Sequence, residues 1–218
     1  MIRLAIDAVL VALFVAELSF NYLPKELHEI LGVALVAAIL VHFAINFKRL
    51  FALTNKISTR KFFAIEVNLA LALCTLLILL TGLCQSNYLC PDLANAILRR
   101  NMTIHNLHTS APYIMTILIG MHIGLHGREL RQKVLRLLRA EEFFKRWKIV
   151  FDAMIFTVAA FGVLGLFLNR FFDRILMKHV FATPATDLPA LVFIFLLVGS
   201  ITFFAVVTHF VVKKVFKE

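Results

Sequence analysis

The sequence predicts an all-α fold, an integral membrane helical bundle of six transmembrane helices. Three observations predict it. Hydrophobic residues make up 61% of 218 and charged residues only 17%, where a soluble domain has roughly 45–50% and 25%. Mean hydropathy is +0.88. The apolar residues arrive in runs of about 20, the length a helix needs to cross some 30 Å of hydrocarbon, and basic clusters separate the runs. The formal charge of +10 would suggest nucleic acid in a soluble protein. Here the runs make membrane lipid the partner, and no nucleic acid is expected.

The spans read, in order, 3–22, 27–47, 62–84, 104–126, 148–168 and 188–212. The first is longer than the apolar stretch of a secretory signal and lacks a small-residue cleavage site after it, so it reads as a retained anchor. Between the fourth and fifth, RELRQKVLRLLRAEEFFKRW places Leu130, Val134, Leu137, Leu138 and Phe144 at roughly helical spacing, an amphipathic segment for the membrane surface. The domains expected are a four-helix core over 1–127, this loop over 128–147, and two further spans over 148–218.

Basic residues set the orientation. Seventeen (Arg3, the cluster from Lys48 to Lys61, the run Arg128 to Lys148, and the three lysines after 212) alternate across six spans with six: Lys25, Arg99, Arg100, Arg170, Arg174 and Lys178. The richer side is cytoplasmic. Both termini and the 128–147 loop are expected there, and the second and fourth spans then run parallel, from outside to inside.

Those two spans carry paired histidines. His28 and His42 lie 14 residues apart, as do His108 and His122. Fourteen residues turn a helix to within about 40° of four full turns, so each pair shares a face about 21 Å apart along the axis. On parallel helices His28 faces His108 near the outer end and His42 faces His122 near the inner end. Two facing imidazoles, twice over, suit two bis-histidine haems stacked in a helical bundle, with all four histidines as axial ligands. Ionisable residues in spans are rare and default to function. His126 lies one turn past His122 and His105 one turn before His108, so both are alternates. His209, near the inner end of the last span, is a third, and is placed to join His126 at a further cofactor or quinone. His179, in an outer segment, reads as solvated.

Gly32 stands one turn from His28, and Gly120 and Gly124 flank His122, where a flat macrocycle needs room. Arg99, Arg100 and Lys25 outside, with Lys48, Arg49 and Arg128 inside, are candidates to pair with haem propionates. Asp7, Glu66 and Asp152 fall near the cytoplasmic boundary, where snorkelling costs little. Glu17, toward the outer end, reads as an interfacial carboxylate, with proton transfer from a quinol as the sharper alternative. Cys84 and Cys90 bracket the end of the third span as a candidate disulfide in an exported setting, and Cys74 reads as packing.

Two stretches, HEILGVALVAAILVHFAINFKRL (28–50) and HNLHTSAPYIMTILIGMHIGLHGREL (105–130), together with FLNRFFDRILMKHVFA and VVTHFVVKKVF near the end, resemble the flavinylation-associated membrane cytochromes, a family first described as a domain of unknown function. The likeness covers nearly the whole chain. In spacing alone, the histidine pairs are also similar to those of the cytochrome b subunit of quinol–cytochrome c reductases. The resemblance implies a protein of the prokaryotic plasma membrane with two haems b, held by His28, His42, His108 and His122. It would pass electrons between the quinone pool and an extracytoplasmic flavin-carrying or iron–sulfur redox protein. The chain then acts as an electron-transfer subunit of a membrane oxidoreductase, and an oligomer stays open. The rival from another class is a multi-pass transporter whose histidines bind a divalent metal or relay protons, which carboxylates beside the histidines would favour.

Overall fold

The computed structural model describes residues 1–54, 58–91, 96–178 and 187–215, and all its regular elements there are helices. Helix α1 is Ile2–Leu18, followed by a single turn of 3-10 helix at Phe20–Tyr22. Pro24 then fixes the chain before α2, Lys25–Thr54, by accepting its first helical bond from His28 N at 3.1 Å. Helix α3 is Thr59–Gln85, started by Ser58, whose hydroxyl accepts from Lys61 N. A four-residue helix α4, Ala96–Arg99, leads to α5, Met102–Leu138. Asn101 caps α5 by accepting from Thr103 N and Ile104 N at 2.9 and 3.2 Å.

Helix α5 runs 37 residues and ends where Arg139 turns left-handed at φ 49°. The amphipathic segment expected over 128–147 is not one element. Arg128 to Leu138 continue α5, because no glycine or proline interrupts them, and only Glu141–Arg146 makes its own short helix, α6. Helix α7 is Lys148–Leu168, α8 is the one-turn Phe171–Ile175, and α9 is Ala190–Val215.

Four of these are long and apolar enough to cross a membrane: the Lys25–Lys48 part of α2, then α3, α7 and α9. Their surfaces match that reading, since Leu40, Phe43, Leu73, Leu76, Phe167 and Leu191 are exposed, where a soluble protein would bury them. This is the build of a membrane protein. With 17 residues, α1 is short for a span, and α5 carries four histidines and Pro112.

Packing joins antiparallel neighbours, with α5 and α9 as a parallel pair. Helix α1 lies along α2, α3 along α5, and α9 against both α5 and α7. The main core runs through Phe14 and Leu18 of α1, Cys74 of α3, Ala111 and Met115 of α5, and Phe193, Leu197 and Ile201 of α9. So α9 is part of the core and not a flanking helix. At its crossing with α7, a Cβ on Gly162 would stand 2.1 Å from Gly199 O. Ser200 Oγ bonds Gly162 O at 3.0 Å across the same crossing. Close backbone approach of this kind replaces the hydrophobic drive that lipid removes. Cys74, Cys84 and Cys90 are free thiols, so the expected Cys84–Cys90 disulfide is absent.

Candidate functional site

Helices α2 and α5 do not pack backbone to backbone, and only 6% of the apolar stretch of α2 is buried. Histidine rings reach across instead. His28 lies 6.3 Å from His108, centroid to centroid, and His42 lies 6.4 Å from His122. Since residue numbers rise in the same sense from one pair to the other on both helices, α2 and α5 run parallel.

Behind each ring stands a polar group from the neighbouring antiparallel helix, and each sets the tautomer. Glu17 Oε2 of α1 is 2.9 Å from His28 Nδ1, and Asp7 Oδ1 is 2.9 Å from His42 Nδ1. A carboxylate only accepts, so these contacts favour a proton on both Nδ1 atoms, although neither pair closes into a hydrogen bond. Asn68 Oδ1 of α3 is 2.9 Å from His122 Nδ1, and an amide oxygen likewise only accepts. Thr81 Oγ1 is 3.1 Å from His108 Nδ1. Its single proton goes to Leu77 O at 2.7 Å, shared with Ile78 O at 3.1 Å, so it accepts from the ring. His108 and His122 are thereby held with Nδ1–H outward and the lone pair on Nε2, and the carboxylates beside His28 and His42 favour the same tautomer there.

That is the form in which histidine binds a metal, with the second nitrogen donating to an outer partner. A metal–imidazole bond is about 2.0–2.1 Å and the ring centre lies roughly 1.1 Å behind its nitrogen, so two rings on opposite sides of one ion have centroids about 6.3 Å apart. Both measured separations agree with it. Among the described residues no group of three or more His, Cys, Asp or Glu side chains that could hold a metal ion is found.

The other expected residues fall as follows. His126 lies 4.9 Å from His122 on the same helix, beside the pair and not across from it. His105 Nδ1 is 3.1 Å from Gln85 Oε1. His209 lines a small pocket with Arg60, Arg128 and Lys213, where α3, α5 and α9 converge. Arg99 precedes α5 at the His108 end, with its Nε buried and unpartnered, an orphan donor that an anionic group would satisfy. The side chain of Arg49 and all of His179 lie outside the described residues. Gly32 faces Glu17 Oε2, from which a Cβ would stand 3.7 Å away.

Gly120 and Gly124 are corrected. A Cβ on Gly120 would meet Phe204 Cβ at 2.5 Å, and one on Gly124 would meet Ala205 O at 2.4 Å. Two residues along a helix are about 200° apart, so both face α9 while His122 faces α2. They admit a helix and make no room for a macrocycle beside His122. The glycine beside a histidine is Gly82, where a Cβ would come within 3.0 Å of His108 Cε1.

Sequence reasoning missed Asp7, Glu17, Asn68 and Thr81 as histidine partners. The signal was present. In an antiparallel hairpin, residues equally far from the turn meet, and Asn68 and Thr81 sit thirteen apart, one short of the spacing of the histidines they back, whereas Asp7 and Glu17 sit ten apart, a full turn short of it. No family model matches the chain, and neither the curated proteins nor the solved structures contain a match to it.

Proposed function

We propose that this chain is a membrane b-type cytochrome: six crossing helices with both termini cytoplasmic, and two haems, the outer held by His28 and His108 and the inner by His42 and His122. It carries electrons across the bilayer between the quinone pool and an extracytoplasmic flavin-carrying or iron–sulfur protein. The observation that carries the reading is the pair of facing imidazole couples, at 6.3 and 6.4 Å, each ring with a polar group beside its Nδ1. Haem supplies the one-electron couple and four of the six iron donors, which accounts for a protein that contributes two. The sequence has no C-x-x-C-H for covalent attachment, which argues against type c. Held by two histidines, such a group would have no open position for oxygen and would serve electron transfer. Thr81, Asn68, Glu17 and Asp7 hold the rings in register, Arg99 offers a cation to a propionate, and the lipid-facing helices exclude water.

A proton relay has one observation in its favour, the carboxylates beside His28 and His42. Each, however, sits behind a ring on Nδ1 and not between the two rings. From Ile30 to Val41, α2 has no ionisable residue to link the two levels.

Purification of the full chain from haem-replete cells, with a pyridine haemochrome assay, tests the reading. Two haems b per chain and a bis-histidine ferric signal are expected. A colourless, folded protein overturns it.

A further inference from the structure

The two rings of each pair are backed unequally. On the α5 side the groups behind Nδ1 are neutral, Thr81 and Asn68. On the α2 side both are carboxylates from α1, Glu17 and Asp7. An acid within an apolar bundle is costly unless it has a task, and α1 holds two, each 2.9 Å from a ring nitrogen. They also differ from each other. Glu17 is 14% exposed and Asp7 34%, while each keeps one buried carboxylate oxygen without a hydrogen-bond partner, Oε1 in Glu17 and Oδ1 in Asp7. Water screens Asp7 more than Glu17.

We propose that Glu17 and Asp7 are the positioning residues that set the two reduction potentials, and that their unequal burial tilts the pair so that an electron is favoured on the His42–His122 iron. The inference rests on the di-haem reading above. A carboxylate accepting from Nδ1–H makes Nε2 a stronger donor and adds negative charge close to the iron. Both effects stabilise the ferric over the ferrous state, because the ferric state carries one more positive charge, and the potential falls. Gain of one electron converts one ferric to one ferrous centre, and no other bond changes. Glu17, the drier of the two, lowers its iron further than Asp7 lowers the other. Thr81 and Asn68 orient their rings without adding charge.

The test is a potentiometric titration of the purified holoprotein, followed in the visible spectrum and by electron paramagnetic resonance of the ferric form. Glu17→Gln keeps the size and removes the charge. It is expected to shift one component toward the reduced state by about tenfold in equilibrium constant, which for one electron is 59 mV, with a change in the ferric g-values of that component alone. Asp7→Asn shifts the other component in the same direction by a smaller factor. Glu17→Asp retains the wild-type potential. Two bound haems with both potentials unmoved in Glu17→Gln and Asp7→Asn overturn the inference and leave the di-haem reading standing. A shift of both components together by Glu17→Gln overturns the one-to-one assignment. If Glu17→Gln folds without its haem, Glu17→Asp decides: haem regained at the wild-type potential supports the charge role, and haem regained at a raised potential overturns it. Wild-type protein that binds no haem removes the reading and the inference together.

Discussion

His122 and Asn68 meet at 2.9 Å, Nδ1 to Oδ1, across the antiparallel α3 and α5 and 54 residues apart in sequence. The contact leaves the ring one way to turn and one lone pair to offer. Asn68→Leu is expected to release the inner haem, weakening its binding by about 10–100-fold, while the outer haem stays. Asn68→Asp, which keeps the acceptor, should restore it. Haem-to-protein ratio and the reduced spectrum of the purified variants check this, and loss of both haems from Asn68→Leu would contradict the independence of the two sites.

Topology is a second prediction, and it rests on the basic residues. Reporter fusions after Trp147 and after Lys214 should report cytoplasm, and a fusion after Leu89 should report the outside. Reports from opposite sides at Trp147 and Lys214 would exclude two spans between them.

Glu29 ties the start of α2 to the end of α3. Its carboxylate accepts from Ser86 Oγ and Asn87 N at 2.8 Å, Leu89 N at 2.9 Å and Tyr88 N at 3.1 Å. Next to it, a hydrogen bond to Glu26 pushes the Tyr88 hydroxyl up. Glu29→Ala should lower stability by about 1.5–3 kcal/mol, the range for bonds to a charged acceptor, with Glu29→Gln in between. Thermal unfolding followed by circular dichroism in detergent measures it.

At the α7–α9 crossing, Gly162→Leu has no room, since its Cβ alone would reach Gly199 O at 2.1 Å. The helices must part, and a loss of at least about 2 kcal/mol is expected. Gly127→Leu is the control, because a Cβ there meets nothing within 4 Å. Monodisperse yield on size exclusion should fall for the first and hold for the second.

The sequence by itself determined the helices and their apolar surfaces, because hydropathy and the 3.6-residue period are local properties. It also determined that His28 shares a face with His42, and His108 with His122, since 14 residues nearly close four turns. Only the tertiary structure decided that these faces meet, and what stands behind them. The register of the α1–α2 and α3–α5 hairpins brought Glu17, Asp7, Thr81 and Asn68 to the rings, and register depends on how side chains interlock between helices. The same holds for Gly120 and Gly124. In sequence they flank His122, but whether a small residue admits a cofactor or a neighbouring helix depends on what lies across its face, and α9, more than 75 residues later in the chain, lies there.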